Sequence, residues 1–240
     1  MRILITAGNT QTPIDRVRCI TNIFTGKTGA AIALEAYRRG HAVTLATSHP
    51  EVLESPPSDA NRWVCNSYRT FDELESLMAK HISHGGMEGV VHCAAVSDYH
   101  AAGVFSSAPG TVFDADTGTW SAVAGTPTLF DRNAGKVKSD CPELWLRLVR
   151  APKLVDKIRS EWHFAGVLVK FKLEVGVTEA DLQAIAERSR RQSDADLMVA
   201  NTLEGAAEWA LIGNEAGYQK VTRAELPATL LNAIEGIRKH

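Results

Sequence analysis

The stretch Ile3–Gly29, which reads ILITAGNTQTPIDRVRCITNIFTGKTG, decides the fold that this sequence predicts. Its apolar start predicts a buried β-strand that ends near Gly8, where small and polar residues begin. Gly26 then precedes an Ala-rich segment with the spacing of a helix. A strand, a loop and a helix in this order are typical of an α/β nucleotide-binding unit, in which loop amides and a helix N-terminus face an anion.

The loop does not contain either of the two common phosphate-binding patterns. The dinucleotide pattern G-x-G-x-x-G needs glycines that do not follow Gly8, and a P-loop ending at Lys27 would place its first glycine at Thr21. The loop is roughly twenty residues long, whereas a plain strand-to-helix turn takes about 2 to 6. We therefore expect it to hold a substrate as well as phosphate.

Composition limits the class of protein. With 240 residues, 45% of them hydrophobic, the chain is long enough to bury a three-layer core, and one α/β domain is favoured over two small ones. A net charge of −2 gives no support for binding to nucleic acid or to a membrane surface. The 4 cysteines form no C-x-x-C pair, no apolar run reaches membrane-spanning length, and no signal peptide is recognised. We expect a cytoplasmic protein with reduced thiols.

The rest of the chain alternates predicted strands with predicted helices. The strands are predicted at residues 42–46, 62–67, 89–95, 144–149, 166–171, 196–201 and 209–212, and the helices at 28–39, 71–84, 153–162, 178–193 and 223–239. This order predicts a Rossmann-like three-layer α/β/α sandwich with a mostly parallel sheet. Residues 101–134 show neither periodicity. We therefore expect a single domain, 1–240, with a long irregular excursion at about 100–135, in which 101–134 form a lid or a dimerisation arm.

Polar residues near predicted strand ends are candidates for the site. Asp98 follows the strand at 89–95, and carboxyl ends of neighbouring strands share one crevice in open α/β sheets. Its carboxylate is suited to accept hydrogen bonds from a base amino group or to bind magnesium through water. Lys136 and Lys138 share a face of an extended segment, either as solvated lysines or as point charges beside a triphosphate.

Three residues of the first loop are further candidates. The amide of Asn22 either orients a carbonyl or an oxyanion, or folds its own turn. Arg18 and Asp15 are three residues apart and are suited to a local ion pair. An exposed pair contributes only about 0 to 1 kcal/mol, which is too little to explain so long a loop.

Six ordered blocks resemble the phosphopantothenate–cysteine ligases and together extend over nearly the whole chain. The blocks are residues 7–29, 92–99, 135–139, 151–162, 171–173 and 195–201. Within that family the chain looks most similar to the stand-alone bacterial form, not to the form fused to a flavin decarboxylase. The resemblance implies a magnesium-dependent homodimer that activates the phosphopantothenate carboxylate with CTP or ATP, usually CTP in bacteria. Cysteine then displaces the nucleotide from the acyl-nucleotidylate, a step in coenzyme A biosynthesis.

The resemblance also implies roles for particular residues. The catalytic set is Asn22, Lys136 and Arg18, and the substrate-binding set is Asn22 and Asp15. The base pocket matches Ala94, Ala95, Asp98 and Phe171, and our physical choice for the phosphate contacts is Gly8, Gly26 and Lys27. No protein metal site is expected.

Two alternatives to the ligase stay open, and the second of them depends on a departure from the family pattern. Phe24 stands where the family has a small hydroxyl residue, and the excursion before Lys136 is longer than in the fused enzymes. The first alternative is a nicotinamide-dependent reductase, but none of the four tyrosines has a lysine four residues later, as the short-chain type requires. The second is a non-catalytic nucleotide-binding homologue, which Phe24 slightly favours. The sequence does not decide between CTP and ATP.

Overall fold

The computed structural model describes residues 1–237, which form two compact units. The first unit consists of Met1–Thr10, Asn22–Val96 and the described residues from Lys153 onward. The second consists of Gln11–Thr21 and Ser97–Pro152.

Fifteen strands and five α-helices make up the described part of the chain. The strands are β1 (Arg2–Ala7), β2 (Gln11–Pro13), β3 (Cys19–Thr21), β4 (Ala42–Thr47), β5 (Trp63–Ser67), β6 (Gly89–His92), β7 (Tyr99–Ser107), β8 (Thr111–Asp114), β9 (Thr119–Ala122), β10 (Leu129–Asp131), β11 (Trp145–Arg150), β12 (Val167–Glu174), β13 (Leu197–Thr202), β14 (Trp209–Asn214) and β15 (Gly217–Thr222). The helices are α1 (Lys27–Arg38), α2 (Phe71–His84), α3 (Leu154–Ser160), α4 (Glu179–Gln192) and α5 (Leu226–Gly236).

The first unit is built on one eight-stranded sheet, with the strand order β15-β14-β13-β12-β6-β1-β4-β5. The six strands from β13 to β5 in this order are parallel, and β14 and β15 are antiparallel. At the centre of the sheet, β1 pairs with β4 on one side and with β6 on the other. Its residues Ile3, Leu4 and Ile5 are fully buried. Such a continuous apolar run is what a central strand needs when helices cover both faces of the sheet.

Alternating side chains of β13 show that helices cover both faces. Leu197 and Val199 pack in one cluster with Leu230 of α5, whereas Met198 and Ala200 pack in another with Leu182 of α4. Because successive strand residues point to opposite faces, α5 and α4 lie on opposite sides of the sheet. The predicted three-layer, mostly parallel fold is confirmed.

The predicted helices correspond closely to the observed ones, and two of them begin at recognisable caps. Thr70 and Glu73 form a reciprocal capping box at the start of α2. At α4, the Thr178 hydroxyl accepts from the backbone N–H of Asp181 and donates to its carboxylate. The last helix ends at Gly236, and the predicted end at 239 lies outside the described residues.

The second unit contains the antiparallel sheet β10-β7-β11 and the hairpins β2–β3 and β8–β9. The prediction that residues 100–135 are irregular was therefore wrong. The strands β8, β9 and β10 have only three or four residues, too few to show alternation, and the longer β7 contains small residues at 101–103. Aromatic packing joins β8 and β9 to β11. Phe113, Trp120 and Trp145 pack together with ring centroids 4.6 to 5.1 Å apart. That residues 101–134 act as a lid or dimerisation arm of one domain stays a prediction.

Within residues 1–237, no helix combines the length and the apolar composition that crossing a membrane requires.

One buried titratable group couples the stability of the fold to pH. His92 ends β6, is only 8% exposed, and has its Nδ1 3.0 Å from the Thr6 hydroxyl. Burial, helped by the charge of Lys170, lowers the pKa of His92 to about 4.

We expect the free energy of unfolding to fall as the pH drops from about 6.5 to about 4, by up to about 3 kcal/mol. In this window the unfolded chain binds a proton at His92 that the folded chain does not bind. Urea unfolding at a series of pH values measures the effect, and a His92→Gln variant should have a flatter stability profile across the window. Equal slopes for the two proteins would contradict this assignment.

Candidate active site

The long loop leaves β1 at one glycine and returns to the same point at another. Gly8 follows β1 with φ 86°, and Gly26 precedes α1 with φ 85°. A Cβ atom built on Gly26 would lie 2.3 Å from the backbone nitrogen of Gly8, and one built on Gly29 would lie 2.6 Å from the Cβ of Ala7. The start of α1 is thus pressed against the end of β1, at a distance that only glycine allows.

A buried asparagine ties the two ends of the loop together. Asn9 donates from Nδ2 to the carbonyls of Asn22, at 2.7 Å, and Phe24, at 3.0 Å. Its backbone N–H donates to the Ser48 hydroxyl at 2.8 Å. This side chain was not among the predicted site residues. The signal available in the sequence was its place directly after Gly8 at the end of a strand.

Asn22 connects the returning loop to the end of β6. Its Nδ2 donates to the carbonyl of Ala95 at 2.9 Å, and the N–H of Ala95 donates to the carbonyl of Gly8 at 2.8 Å. Asn22 itself does not line the cavity described next, although Ile23 and Ala95 beside it do. Asn22 is therefore held beside the lining of the cavity by its bond to Ala95. Its catalytic role stays a prediction.

A cavity of about 460 Å³ opens in the first unit, where the loop, the start of α1 and the strand ends come together. Small-molecule sites have volumes of about 300 to 1,000 Å³, so a mononucleotide is of suitable size. Six of the predicted nucleotide-binding residues line it, namely Gly8, Gly26, Lys27, Ala94, Ala95 and Phe171. The lining also includes Phe24, Asn201 and Arg223, which were not predicted to bind the nucleotide.

The described lining of the cavity carries three basic residues, Lys27, Lys172 and Arg223, and no aspartate or glutamate. Lys172 is paired with Glu174 at 2.9 Å. The guanidinium of Arg223 donates to the Thr28 hydroxyl, and burial lowers its pKa from the usual value. The cavity therefore favours an anionic ligand.

Cys93 lies in the same cavity but is not suited to act as a nucleophile. Burial raises the pKa of its thiol to about 12, although Arg223 and the backbone near Gly29 act in the opposite direction. A thiol with this pKa is protonated at neutral pH, and the thiolate is the reactive form.

In the second unit, Asp15 and Arg18 form more than a local ion pair. Both Arg18 Nε and Nη2 donate to Asp15 Oδ2, at 3.1 and 2.6 Å. The same carboxylate oxygen accepts from the N–H of Val137 at 3.0 Å, and Arg18 Nη2 donates to the Val137 carbonyl at 2.6 Å. The Arg18 guanidinium, followed by the Val137 N–H, holds the pKa of Asp15 well below its usual value. The pair anchors the segment that carries Lys136.

Lys136 and Asp98 both belong to the second unit and are both exposed. Asp98 accepts a hydrogen bond at its backbone carbonyl from the N–H of Ala151 at 2.8 Å. The roles assigned to Asp98, Lys136, Arg18 and Asp15 stay predictions.

Across residues 1–237, no group of three or more His, Cys, Asp and Glu side chains is arranged to hold a metal ion. The cavity lining also lacks the carboxylate oxygens that Mg²⁺ prefers. The residues of the cavity therefore do not form a magnesium site of their own.

Known proteins of coenzyme A metabolism are similar to this chain. The profile of the DNA/pantothenate metabolism flavoprotein C-terminal domain matches residues 1–107. The structure of the DNA/pantothenate metabolism flavoprotein from Streptococcus pneumoniae matches with a TM-score of 0.77 and 26% identity, over 98% of this chain and 99% of that chain. The chain is similar to this flavoprotein over nearly its whole length, and residues 1–107 match the C-terminal domain of that family.

The curated relatives are larger proteins. The coenzyme A biosynthesis bifunctional protein CoaBC of Thermococcus kodakarensis is 31% identical over 98% of this chain and 51% of its own length. CoaBC of Escherichia coli K12 is 30% identical over 84% of this chain and 41% of its own length. The chain thus spans about half the length of these relatives or less. That it is the stand-alone form of the ligase stays a prediction.

The contact between Gly26 and Gly8 leads to a prediction. A Gly26→Ala substitution should destabilise the first unit by more than Gly40→Ala and should weaken nucleotide binding. Gly40 is the matched control, because it has a similar φ of 89° but nothing within 4 Å of a built Cβ. The control therefore measures only the cost of a positive φ, about 1 kcal/mol. Urea unfolding and nucleotide titration measure both effects, and equal losses for the two variants would contradict the close packing.

The Asp15 anchor leads to a second prediction, for the second unit. Asp15→Asn keeps the shape of the side chain but removes its charge, so the bonds to Arg18 and Val137 should weaken. We expect amide hydrogen exchange at Val137 to speed up by about tenfold or more, while exchange in β1 is unchanged. Unchanged protection at Val137 would show that the carboxylate does not hold this segment.

Proposed function

We propose that this protein joins L-cysteine to 4′-phosphopantothenate as a nucleoside triphosphate-dependent ligase of coenzyme A biosynthesis. CTP is our preferred co-substrate, with ATP as the alternative. The observation that carries the proposal is the basic cavity at the strand ends, which is of mononucleotide size and has no carboxylate in its described lining. Similarity to the coenzyme A biosynthesis bifunctional protein CoaBC, and the resemblance of the sequence blocks to the phosphopantothenate–cysteine ligases, support the choice of reaction.

The proposed reaction has two displacement steps. In the first, a carboxylate oxygen of phosphopantothenate attacks the α-phosphorus; a new P–O bond forms, and the bond to the bridging oxygen breaks to release pyrophosphate. In the second, the cysteine amine attacks the acyl carbon; the C–N bond forms, the C–O bond to the nucleotide breaks, the nucleoside monophosphate leaves, and the amine loses a proton. Both steps move negative charge onto phosphate oxygens. Positioning and charge stabilisation by the protein are therefore the main requirement.

The residues of the first unit fit the nucleotide part of this proposal. Phosphate oxygens are placed at Gly8, Gly26 and Lys27, where the first turn of α1 leaves backbone N–H groups without helical partners. We propose that the base contacts Ala94, Ala95 and Phe171, which line the cavity. Asp98, which belongs to the second unit, is proposed as a further contact. Asn22, fixed by its bond to Ala95, is proposed to handle the acyl-nucleotidylate.

The residues of the second unit supply the remaining proposed contacts. Lys136 neutralises charge on the phosphates, and Arg18 contributes to catalysis. Asp15, assigned to substrate binding, accepts N–H bonds at both carboxylate oxygens and so acts by holding Arg18 and the segment around Val137.

Mg²⁺ is part of the proposal only as a counter-ion that arrives with the phosphates and keeps water as its other ligands. No step above depends on it. A cytoplasmic homodimer completes the proposal.

One observation favours a second candidate, a homologue that binds nucleotide without turnover. Phe24 lines the cavity. In the family that the sequence resembles, a small hydroxyl residue stands at this position. The aromatic side chain removes one polar contact from the phosphate side of the cavity. The reductase alternative gains no such observation.

The test is incubation with phosphopantothenate, cysteine and each of the four nucleoside triphosphates, followed by measurement of pyrophosphate. We expect release with CTP, and a loss of roughly 10²-fold or more in Lys136→Ala and in Asn22→Ala, because both remove charge or hydrogen-bond stabilisation of the reacting groups.

Lys138→Ala is the matched control, since it removes an equally exposed lysine two residues away. Full activity in the Lys136 and Asn22 variants would contradict their roles. Nucleotide binding without pyrophosphate release by the unaltered protein would favour the non-catalytic homologue.

A further inference from the structure

We propose that Arg223 is a phosphate-binding residue of the cavity and that it discriminates nucleoside triphosphates from monophosphates. The inference rests on the proposed function and adds a residue that the sequence patterns did not indicate.

Arg223 lies in the short connection between β15 and α5 and reaches the start of α1. Its backbone N–H donates to the carbonyl of Glu208 at 2.8 Å, which fixes the main chain. Its Nη2 donates to the hydroxyl of Thr28, in the first turn of α1. The guanidinium is thereby held at the cavity wall beside the helix end where phosphate is expected to bind.

Arg223 differs from the other partly or fully buried arginines of the first unit in having no carboxylate partner among the described residues. Arg39 is paired with Glu35 and Glu235, Arg159 with Asp196, and Arg190 with Glu187. Burial of a charge costs free energy unless an opposite charge or hydrogen bonds offset it. For Arg223 a bound anion in the cavity would supply the missing counter-charge.

The remaining donors of Arg223 suit phosphate oxygens. A guanidinium has five N–H groups in a planar fork, and the contact with Thr28 uses one of them. Such a fork binds two oxygens of a phosphate group at once, which a lysine cannot do. With Lys27 it gives the cavity two cations without a carboxylate partner among the described residues, enough to favour a polyphosphate over a single phosphate.

The test compares binding of inorganic tripolyphosphate, CTP with CMP, and ATP with AMP, by calorimetry, in the unaltered protein and in Arg223→Met. We expect affinity for tripolyphosphate to fall by about tenfold to a hundredfold, and the ratio of triphosphate to monophosphate affinity to fall by a similar factor. Arg223→Lys should retain part of the affinity, because it keeps the charge but not the fork. A purely structural role would lower tri- and monophosphate binding equally and leave their ratio unchanged.

Arg191→Met is the matched control. Arg191 is exposed on α4, does not line the cavity, and its loss changes the net charge by the same amount. It should leave all affinities unchanged. If Arg223→Met does not fold, Arg223→Lys and Thr28→Val take its place, since Thr28→Val removes the bond that holds the guanidinium at the wall.

The outcomes separate this inference from the function on which it rests. Unchanged tripolyphosphate affinity and an unchanged triphosphate-to-monophosphate ratio in the folded Arg223 variants overturn the role of Arg223, even where the unaltered protein ligates. No tripolyphosphate binding by the unaltered protein overturns it as well. Arg223-dependent tripolyphosphate binding without pyrophosphate release by the unaltered protein supports the inference and contradicts the ligase.

Discussion

The return of the first loop onto its own origin is the constraint on which the site depends. Gly26 is packed so closely on the backbone of Gly8 that a Cβ atom would clash there, and its φ of 85° favours glycine as well. Asn9 then donates its amide to two carbonyls of the returning chain, at Asn22 and Phe24. Buried bonds of this kind are costly to leave unmade, so they hold the loop ends, the strand end and the start of α1 together. Both the cavity and the orientation of Asn22 follow from this arrangement.

The electrostatics of the cavity follow from which strands end there. The ends of β1 and β6 contribute small residues, Gly8 and Ala94–Ala95, and β12 contributes Phe171 and Lys172. The wall therefore offers backbone groups and cations without a carboxylate among its described residues. A low-dielectric wall of one charge sign concentrates anions. The preference of the cavity for anions is expected both for a ligase and for a homologue that binds a nucleotide without turnover.

Local patterns identified most of the elements of the first unit, because long periodic segments carry a strong signal. The helix at residues 71–84 was predicted at its observed ends from its apolar spacing, and the structure shows a capping box of Thr70 and Glu73 at its start. The strands between residues 99 and 131 were missed. Three of them have only three or four residues, too few to show alternation, and the nine residues of β7 include a run of small residues at 101–103. The contacts of Phe113, Trp120 and Trp145, which join β8 and β9 to β11, form only in the folded chain.

The sequence by itself determined the order of most elements of the first unit, the parallel sheet and the group of small residues around Gly8 and Ala94 that lines a cavity. These depend on neighbours in the chain and on the rule that parallel strands end at one edge of a sheet. Only the tertiary structure decided that Asn9 closes the loop, that Asp15 anchors Val137, and that Arg223 reaches Thr28. Arg223 and Thr28 are 195 residues apart. No local pattern encodes such a contact, because it forms only when the sheet brings α1 and α5 onto the same face.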